Sequence, residues 1–391
     1  MADDTTDWDM IVVGGGIHGV GVAQAAAAAG YRVALLEQTG LAAGTSSRSS
    51  KLIHGGLRYL ETGQFRLVRE SLRERALLLR LAPHLVRMQP FRLPVYPETT
   101  RRPWQLHIGL TLYGMFAGKN EHARYSTLPR EKWWECDGLS TDSLQCIFQY
   151  WDAQTDDREL TRAVMRSAEQ LGARQLCPAQ MLHAELHAHG CTVTYQQSGT
   201  EQVASARVLV NAAGPWANQV LQHVHPIQSP AAVELVQGTH IELPGELTGG
   251  CYYVEAPDDR RAVFVLPWHQ RTLVGTTETL FTGDPGDVAP HAHEIEYLLR
   301  VYQYYFPDRR REVLDAWAGL RVLPASSRNP FSRSRETQFL VDRPQAPRLL
   351  TVLGGKLTSY RATAEKVVQR LQTSLPTRQR RARTEHLQLE P

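Results

Sequence analysis

Asp9-Met-Ile-Val-Val-Gly14-Gly-Gly16-Ile-His-Gly19-Val-Gly-Val-Ala23-Gln-Ala-Ala-Ala-Ala-Ala-Gly30-Tyr-Arg-Val-Ala-Leu-Leu-Glu37 is the stretch that decides the fold. Asp9 to Val13 reads as a short buried strand, Gly14 to Gly16 as a tight turn, and Ile17 to Ala29 as an alanine-rich helix stopped by Gly30. Tyr31 to Leu36 then alternates as a second strand that ends at Glu37. Gly14-x-Gly16-x-x-Gly19 at the strand-to-helix turn lets the backbone approach a pyrophosphate and lets the helix amides receive its charge. Ala23 and Gly30 supply small residues for close packing, and Glu37, eighteen residues after Gly19, can accept hydrogen bonds from ribose hydroxyls. The stretch predicts a dinucleotide site. A glutamate at this place argues against a bound 2′-phosphate and leaves NAD and FAD both open.

Outside this stretch, the 391 residues are 42% apolar and 21% charged, which fits a globular protein of one large or two ordinary domains and excludes disordered and collagen-like compositions. A net charge of +3 is too balanced to point to a nucleic-acid partner. Cys136, Cys146, Cys177, Cys191 and Cys251 are scattered without a CxxC pair. Reduced thiols are therefore expected, with neither a disulfide framework nor a metal site. Met1 to Met10 is polar and acidic and lacks the basic segment and cleavage site of an export signal, so a cytoplasmic location is expected. Ile11 to Tyr31 carries no Asp, Glu, Lys or Arg, but six glycines and His18 interrupt it, and the dinucleotide turn explains it better than a membrane span.

Farther along, a helix is predicted from Gln64 to Leu81, stopped by Pro83, and the proline-rich run to Pro103 reads as a connection. Ala262 to Leu266 and Thr272 to Thr276 read as strands of an antiparallel sheet outside the first domain. Leu349 to Leu353 is a further buried strand, followed by Gly354-Gly355 and a helix to about Leu371, which returns the chain to the first fold. Two features favour FAD. Val208 to Trp216 runs from a strand into a small-residue turn, with Ala213 and Gly214, that can close over the adenosine side of an extended dinucleotide. Gly354-Gly355-Lys356-Leu357-Thr358 opens a helix whose positive end can stabilise negative charge developing at N1 and C2=O of a flavin.

Thr45-Ser-Ser-Arg-Ser-Ser-Lys-Leu-Ile-His-Gly-Gly-Leu-Arg-Tyr-Leu-Glu61 closely resembles the signature segment of FAD-dependent glycerol-3-phosphate dehydrogenases, within the D-amino-acid-oxidase-like flavoprotein superfamily. Matching segments follow in the family's order, among them Phe91 to Pro94, Asp156-Asp157-Arg158, Gly238-Thr239-His240, Gly275-Thr276-Thr277, Gly319 to Arg321 and Gly354 to Arg361. The resemblance covers nearly the whole chain. It implies an α/β fold: a Rossmann-like FAD domain from residues 1–82, 140–225 and 345–375, with an inserted antiparallel-sheet substrate domain from 83–139 and 226–344. Residues 376–391, with four arginines between Thr377 and Arg383, are expected to form a basic flexible tail.

The implied activity is oxidation of sn-glycerol 3-phosphate to dihydroxyacetone phosphate by hydride transfer to flavin, with electrons passed to quinone at the membrane. Carried over onto matching positions, Gly14, Gly16, Ile17, Gly19 and Glu37, then Thr45, Ser46, Ser47, Ser50 and Leu52, then Ala213, Gly214 and Gly354 to Thr358 would hold the cofactor. Arg58, Arg335 and Lys356 would grip the phosphate, because a dianion needs fixed cationic donors, and Tyr59 and Thr276 would add neutral hydrogen bonds. His240 would act as base, Arg321 would hold the substrate oxygen, and His54 would lie by the flavin.

Some residues depart from the family pattern. Gln237 stands where a lysine is usual and Val322 where a proline is expected; either change can alter substrate preference, and Gln237 can also be read as a surface replacement. In that family a helical domain of roughly a hundred residues or more usually follows the Gly354 helix, and the expectation here is a chain without it, which would bear on assembly, substrate closure and the quinone route. Trp104 to Ala117 is long enough for an interfacial helix and too short to span a bilayer, so peripheral membrane contact and a core or cap helix are both expected readings; Trp133 and Trp134 can share that interface or fill the core. Two rival readings remain. One is a related flavin enzyme of a 2-hydroxy acid or an amino acid, which would want one arginine with a tyrosine instead of three converging cations. The other is an inactive flavin-binding partner protein.

Overall fold

The computed structural model describes residues 6–61, 63–118, 121–325 and 336–390. The opening forms β1 (Trp8–Val13), α1 (Ile17–Ala28) and β2 (Val33–Leu36), within a few residues of the predicted limits. Helix α1 is buried on nearly every side, because its alanines and glycines let neighbours approach: a Cβ on Gly21 would stand 2.9 Å from the Tyr360 ring. Gly30 ends it at φ +96°, a backbone state that a side chain would strain.

Among the described residues the strands form two sheets. In the nine-stranded sheet, β1 lies between β2 and the C-terminal half of Thr200–Asn211, all parallel, and Leu349–Leu353 adds a further parallel strand. Helices Asp157–Gln170 and Tyr360–Leu371 pack on α1 over this core. Asp156 starts the first of them by accepting from the amides of Arg158 and Glu159 at 2.9 and 3.1 Å. The ten-stranded sheet is largely antiparallel, and its spine is Val233–Pro244, paired along its length with Asp315–Pro324 so that Gly238 faces Gly319 and His240 faces Trp317.

The division of the chain differs from expectation at two boundaries. Cys146–Thr155, expected in the cofactor domain, pairs with Val86–Val95 in the second sheet, and Gln338–Val341, expected in the substrate domain, pairs with Leu349–Leu353 in the first. Strand pairing, which composition does not report, sets both memberships. The tail also differs. Arg378 pairs with buried Asp9 at 2.9 Å, the amides of Arg381 and Ala382 bond the Ala28 carbonyl at the end of α1, and Leu389 is buried. A basic run that reads as solvated is held here because it satisfies a buried carboxylate and open helix-end carbonyls.

The five cysteines are unpaired thiols, three of them buried. Helix Pro103–Ala117 buries Leu106, Leu110 and Tyr113 and exposes Trp104, Ile108 and Met115. Trp133 packs against the second sheet's core, whereas Trp134 is exposed. Among the described residues no helix is long and apolar enough to cross a membrane.

Candidate active site

A cavity of about 810 Å³ runs between the two sheets, within the roughly 300–1,000 Å³ typical of cofactor and ligand pockets. Gly14, Gly16, Ile17 and Glu37 line it, with Thr45, Ser46, Ser50 and Leu52 of the signature loop and with Ala213, Gly214 and Gly354 to Thr358. The residue reading and the family resemblance together assigned these to one dinucleotide, and all of them line one cavity. Gly19 and Ser47 do not line the cavity. A Cβ on Gly19 would stand 1.8 Å from the Gly14 carbonyl, so its role is to let helix and turn close together, and Ser47 is buried with its carbonyl turned to the Lys51 ammonium.

The cavity fits FAD by its shape and donors. The α1 amides point at its end, where the Ser46 hydroxyl already accepts from the Ile17 amide at 2.9 Å. Glu37 braces the turn, one oxygen accepting from the Gly15 amide at 2.7 Å and the other from the Thr39 amide, the Thr39 hydroxyl and the Gly40 amide at 2.8, 3.0 and 3.2 Å, so a lone pair on the first oxygen is left for a ribose. A short turn of 3-10 helix, Leu357–Ser359, precedes Tyr360–Leu371, so the helix start falls slightly later than the glycines suggest, while residues 354–358 still line the cavity. Thr358 fastens this segment to the signature loop by accepting from the His54 amide at 3.1 Å.

A second cavity of about 140 Å³ shares Ser50, Leu52, His54, Tyr59 and Arg321 with the first. Arg58, Arg261 and Arg321 line it, with Thr276 and Glu278. Arg321 donates to Glu278 at 2.7 Å, to the Thr276 hydroxyl at 3.1 Å and to the Thr277 carbonyl at 3.2 Å, and Arg261 reaches the other Glu278 oxygen at 3.4 Å. Lys356 projects from the larger cavity over the Tyr59 ring, 3.7 Å from its centre. Arg335 lies outside the described residues.

His240 stands where strand Val233–Pro244 meets the signature loop. Its ring stacks on Trp317 at 5.7 Å, its Nε2 is 2.9 Å from the Ser50 hydroxyl, and its Nδ1 has no hydrogen-bond partner among the described residues. Burial, joined by the Arg321 and Lys51 charges, pushes the imidazole down to about 3, so it is neutral at neutral pH. Two glycines make the room: a Cβ on Gly275 would stand 2.2 Å from the His240 ring, and one on Gly238 would stand 2.4 Å from the Arg321 guanidinium.

Several supporting groups escaped the motif reading. The Lys51 ammonium donates to Asp157 at 2.7 Å and to the Ser47 carbonyl at 2.6 Å, and lies over the Trp268 and Trp317 rings; Asp157 in turn accepts from the Ser49 amide and hydroxyl. Both residues sit in matching segments, which signalled importance without a role. Arg261, just before a strand, carried no signal at all. Gln237, read as a surface replacement, is instead buried, donating to Glu294 at 2.6 Å.

The sequence pattern of the FAD dependent oxidoreductase family, DAO, matches residues 9–370. A D-erythritol 1-phosphate dehydrogenase of Brucella abortus is 38% identical over 383 residues, 96% of this chain and 76% of the relative. A glycerol-3-phosphate dehydrogenase of Pseudomonas aeruginosa is 40% identical over 377 residues, 93% of this chain and 72% of the relative. Among solved structures, the glycerol-3-phosphate dehydrogenase from Bacillus halodurans complexed with FAD superposes with a TM-score of 0.75 at 26% identity, covering 99% of this chain and 68% of that one.

Proposed function

Because the chain belongs to the DAO family of FAD-dependent oxidoreductases, in the branch that holds the glycerol-3-phosphate dehydrogenases, we propose that it oxidises sn-glycerol 3-phosphate to dihydroxyacetone phosphate and passes the electrons to a quinone. It is an FAD-dependent enzyme that oxidises a phosphorylated polyol. The observation that supports a phosphate substrate in this reading is the cluster of cations at the smaller cavity. Arg58, Arg261 and Arg321 converge on it, and Lys356 lies over the adjoining Tyr59 ring. That is the complement of a phosphate dianion; a carboxylate needs only one cation.

In this reading Arg58 and Lys356 grip the phosphate, Tyr59 and Thr276 add neutral hydrogen bonds, and Arg335 is a further phosphate candidate. Arg321 holds the C2 oxygen and opposes the negative charge that develops there as its proton leaves. The neutral His240 ring accepts that proton at Nε2, the nitrogen beside the Ser50 hydroxyl, which lines both cavities. His54, also on both cavities, lies by the flavin. FAD, when bound, supplies the two-electron acceptor for the C2 hydride.

The test is anaerobic bleaching of the flavin by glycerol 3-phosphate, D-erythritol 1-phosphate, glycerol, lactate and D-alanine. Bleaching by glycerol 3-phosphate in preference to all others supports the reading. Preference for the four-carbon phosphate moves it to the longer polyol, bleaching only by lactate or D-alanine overturns the phosphate site, and bleaching by none makes the protein a flavin-binding partner. Reoxidation by a soluble quinone compared with oxygen tests the acceptor. We place the protein on the cytoplasmic face of a membrane through Trp104, Ile108 and Met115, exposed on one helix. Co-sedimentation with lipid vesicles that survives a triple change of these residues to serine counts against this.

A further inference from the structure

We infer that Glu294 is a positioning residue for the oxidation: from behind the site it locks strand Val233–Pro244 to the segment 276–279 and so sets where Arg321 stands relative to His240. The inference rests on the activity proposed above and concerns a residue that lines neither cavity.

In an extended chain successive side chains face opposite sides. Along 276–279, Thr276 and Glu278 turn to the site and hold Arg321, whereas Thr277 and Thr279 turn away and donate to one Glu294 oxygen at 2.7 and 2.8 Å. Along the strand, Gly238 and His240 face the site, whereas Gln237 and Thr239 turn away and donate to the other Glu294 oxygen at 2.6 and 2.7 Å. The Thr277 hydroxyl also accepts from the Thr239 amide at 2.9 Å, which closes the link between the two segments. One carboxylate thus lies beneath both pieces of chain that carry the chemistry.

The residue type follows from the donors. Four side-chain donors converge, and only a carboxylate offers acceptors on both oxygens; a glutamine would turn an amide nitrogen toward two of them. Among the described residues every partner of Glu294 is neutral, and its charge lies in the first turn of helix Ala292–Tyr305, where the helix dipole favours it. Burial pushes its carboxyl up, but the bonds from Thr277, Thr239, Thr279 and the His291 amide outweigh that and hold it below the usual range. It is therefore charged at neutral pH, as an acceptor for four donors must be.

The test uses the full FAD-loaded chain with Glu294→Gln. Bound FAD and the KM for glycerol 3-phosphate should stay within about threefold of the parent, while the anaerobic flavin-reduction rate at saturating substrate should fall about 30-fold or more, the scale of a displaced catalytic group. A rate within twofold of the parent, or a loss seen only in FAD content, overturns the inference. Should Glu294→Gln not accumulate with FAD, Thr279→Val, which removes one of the two donors on that oxygen, decides it: a severalfold slower reduction with normal melting supports the inference, and an unchanged rate overturns it. A parent enzyme that neither polyol phosphate reduces overturns the functional reading and this inference with it, and that failure appears before any variant is made.

Discussion

His240 and Arg321 line the same cavity, and burial, joined by the Arg321 and Lys51 charges, decides the protonation of His240. Replacing His240 with glutamine should leave FAD bound and lower flavin reduction by about 10²- to 10⁴-fold, the usual worth of a general base; stopped-flow bleaching under nitrogen reads this. The same ring makes a stability prediction. Its folded value lies near 3, below the ordinary 6.5, so between those limits the unfolded chain binds the proton and the folded one does not. Stability contributed by the neutral ring is present above pH 6.5 and is lost as pH falls toward 3, at up to about 1.4 kcal/mol per pH unit. Urea unfolding of the parent between pH 7 and 4 should show a steeper acid decline than His240→Gln. Both residues were legible because they lie in motif segments with glycines beside them. Arg261 was not, because an arginine before a strand looks alike whether it faces solvent or another arginine's carboxylate partner.

The signature loop behaves as an element clamped from below. Lys51 and Asp157 form a pair buried at 6% and 0% side-chain exposure, and removing one partner of such a pair costs about 3–5 kcal/mol. Lys51→Met should therefore lower unfolding stability by about that much and weaken FAD retention, as measured by urea titration and flavin release. Glycine spacing between strands carries a second expectation. Gly275→Ala puts a methyl where the His240 ring now lies, and it should reduce activity more than stability, checked by comparing kcat with the melting temperature. The sequence announced these elements by their glycines and alternation. Their membership in one sheet or the other, as with Cys146–Thr155, came from pairing partners far away in the chain.

At the scale of the whole molecule, the C-terminal segment closes the cofactor domain that the N-terminal strand opens. Ending the chain at Leu375 strips Arg378 from Asp9, uncaps α1 and exposes the site of Leu389. A loss of about 3 kcal/mol or more is expected, seen as a lower thermal midpoint and faster proteolysis. The residue pattern alone determined the dinucleotide turn and the helix and strand order around it, because tight turns, helix periods and strand alternation are steric facts settled among near neighbours. Only the tertiary structure decided that Ser50 meets His240 across 190 positions, that Arg261 joins Arg58 and Arg321, that Gln237 is buried and that the basic tail is held. Each of these depends on register between distant strands, and no local periodicity encodes it.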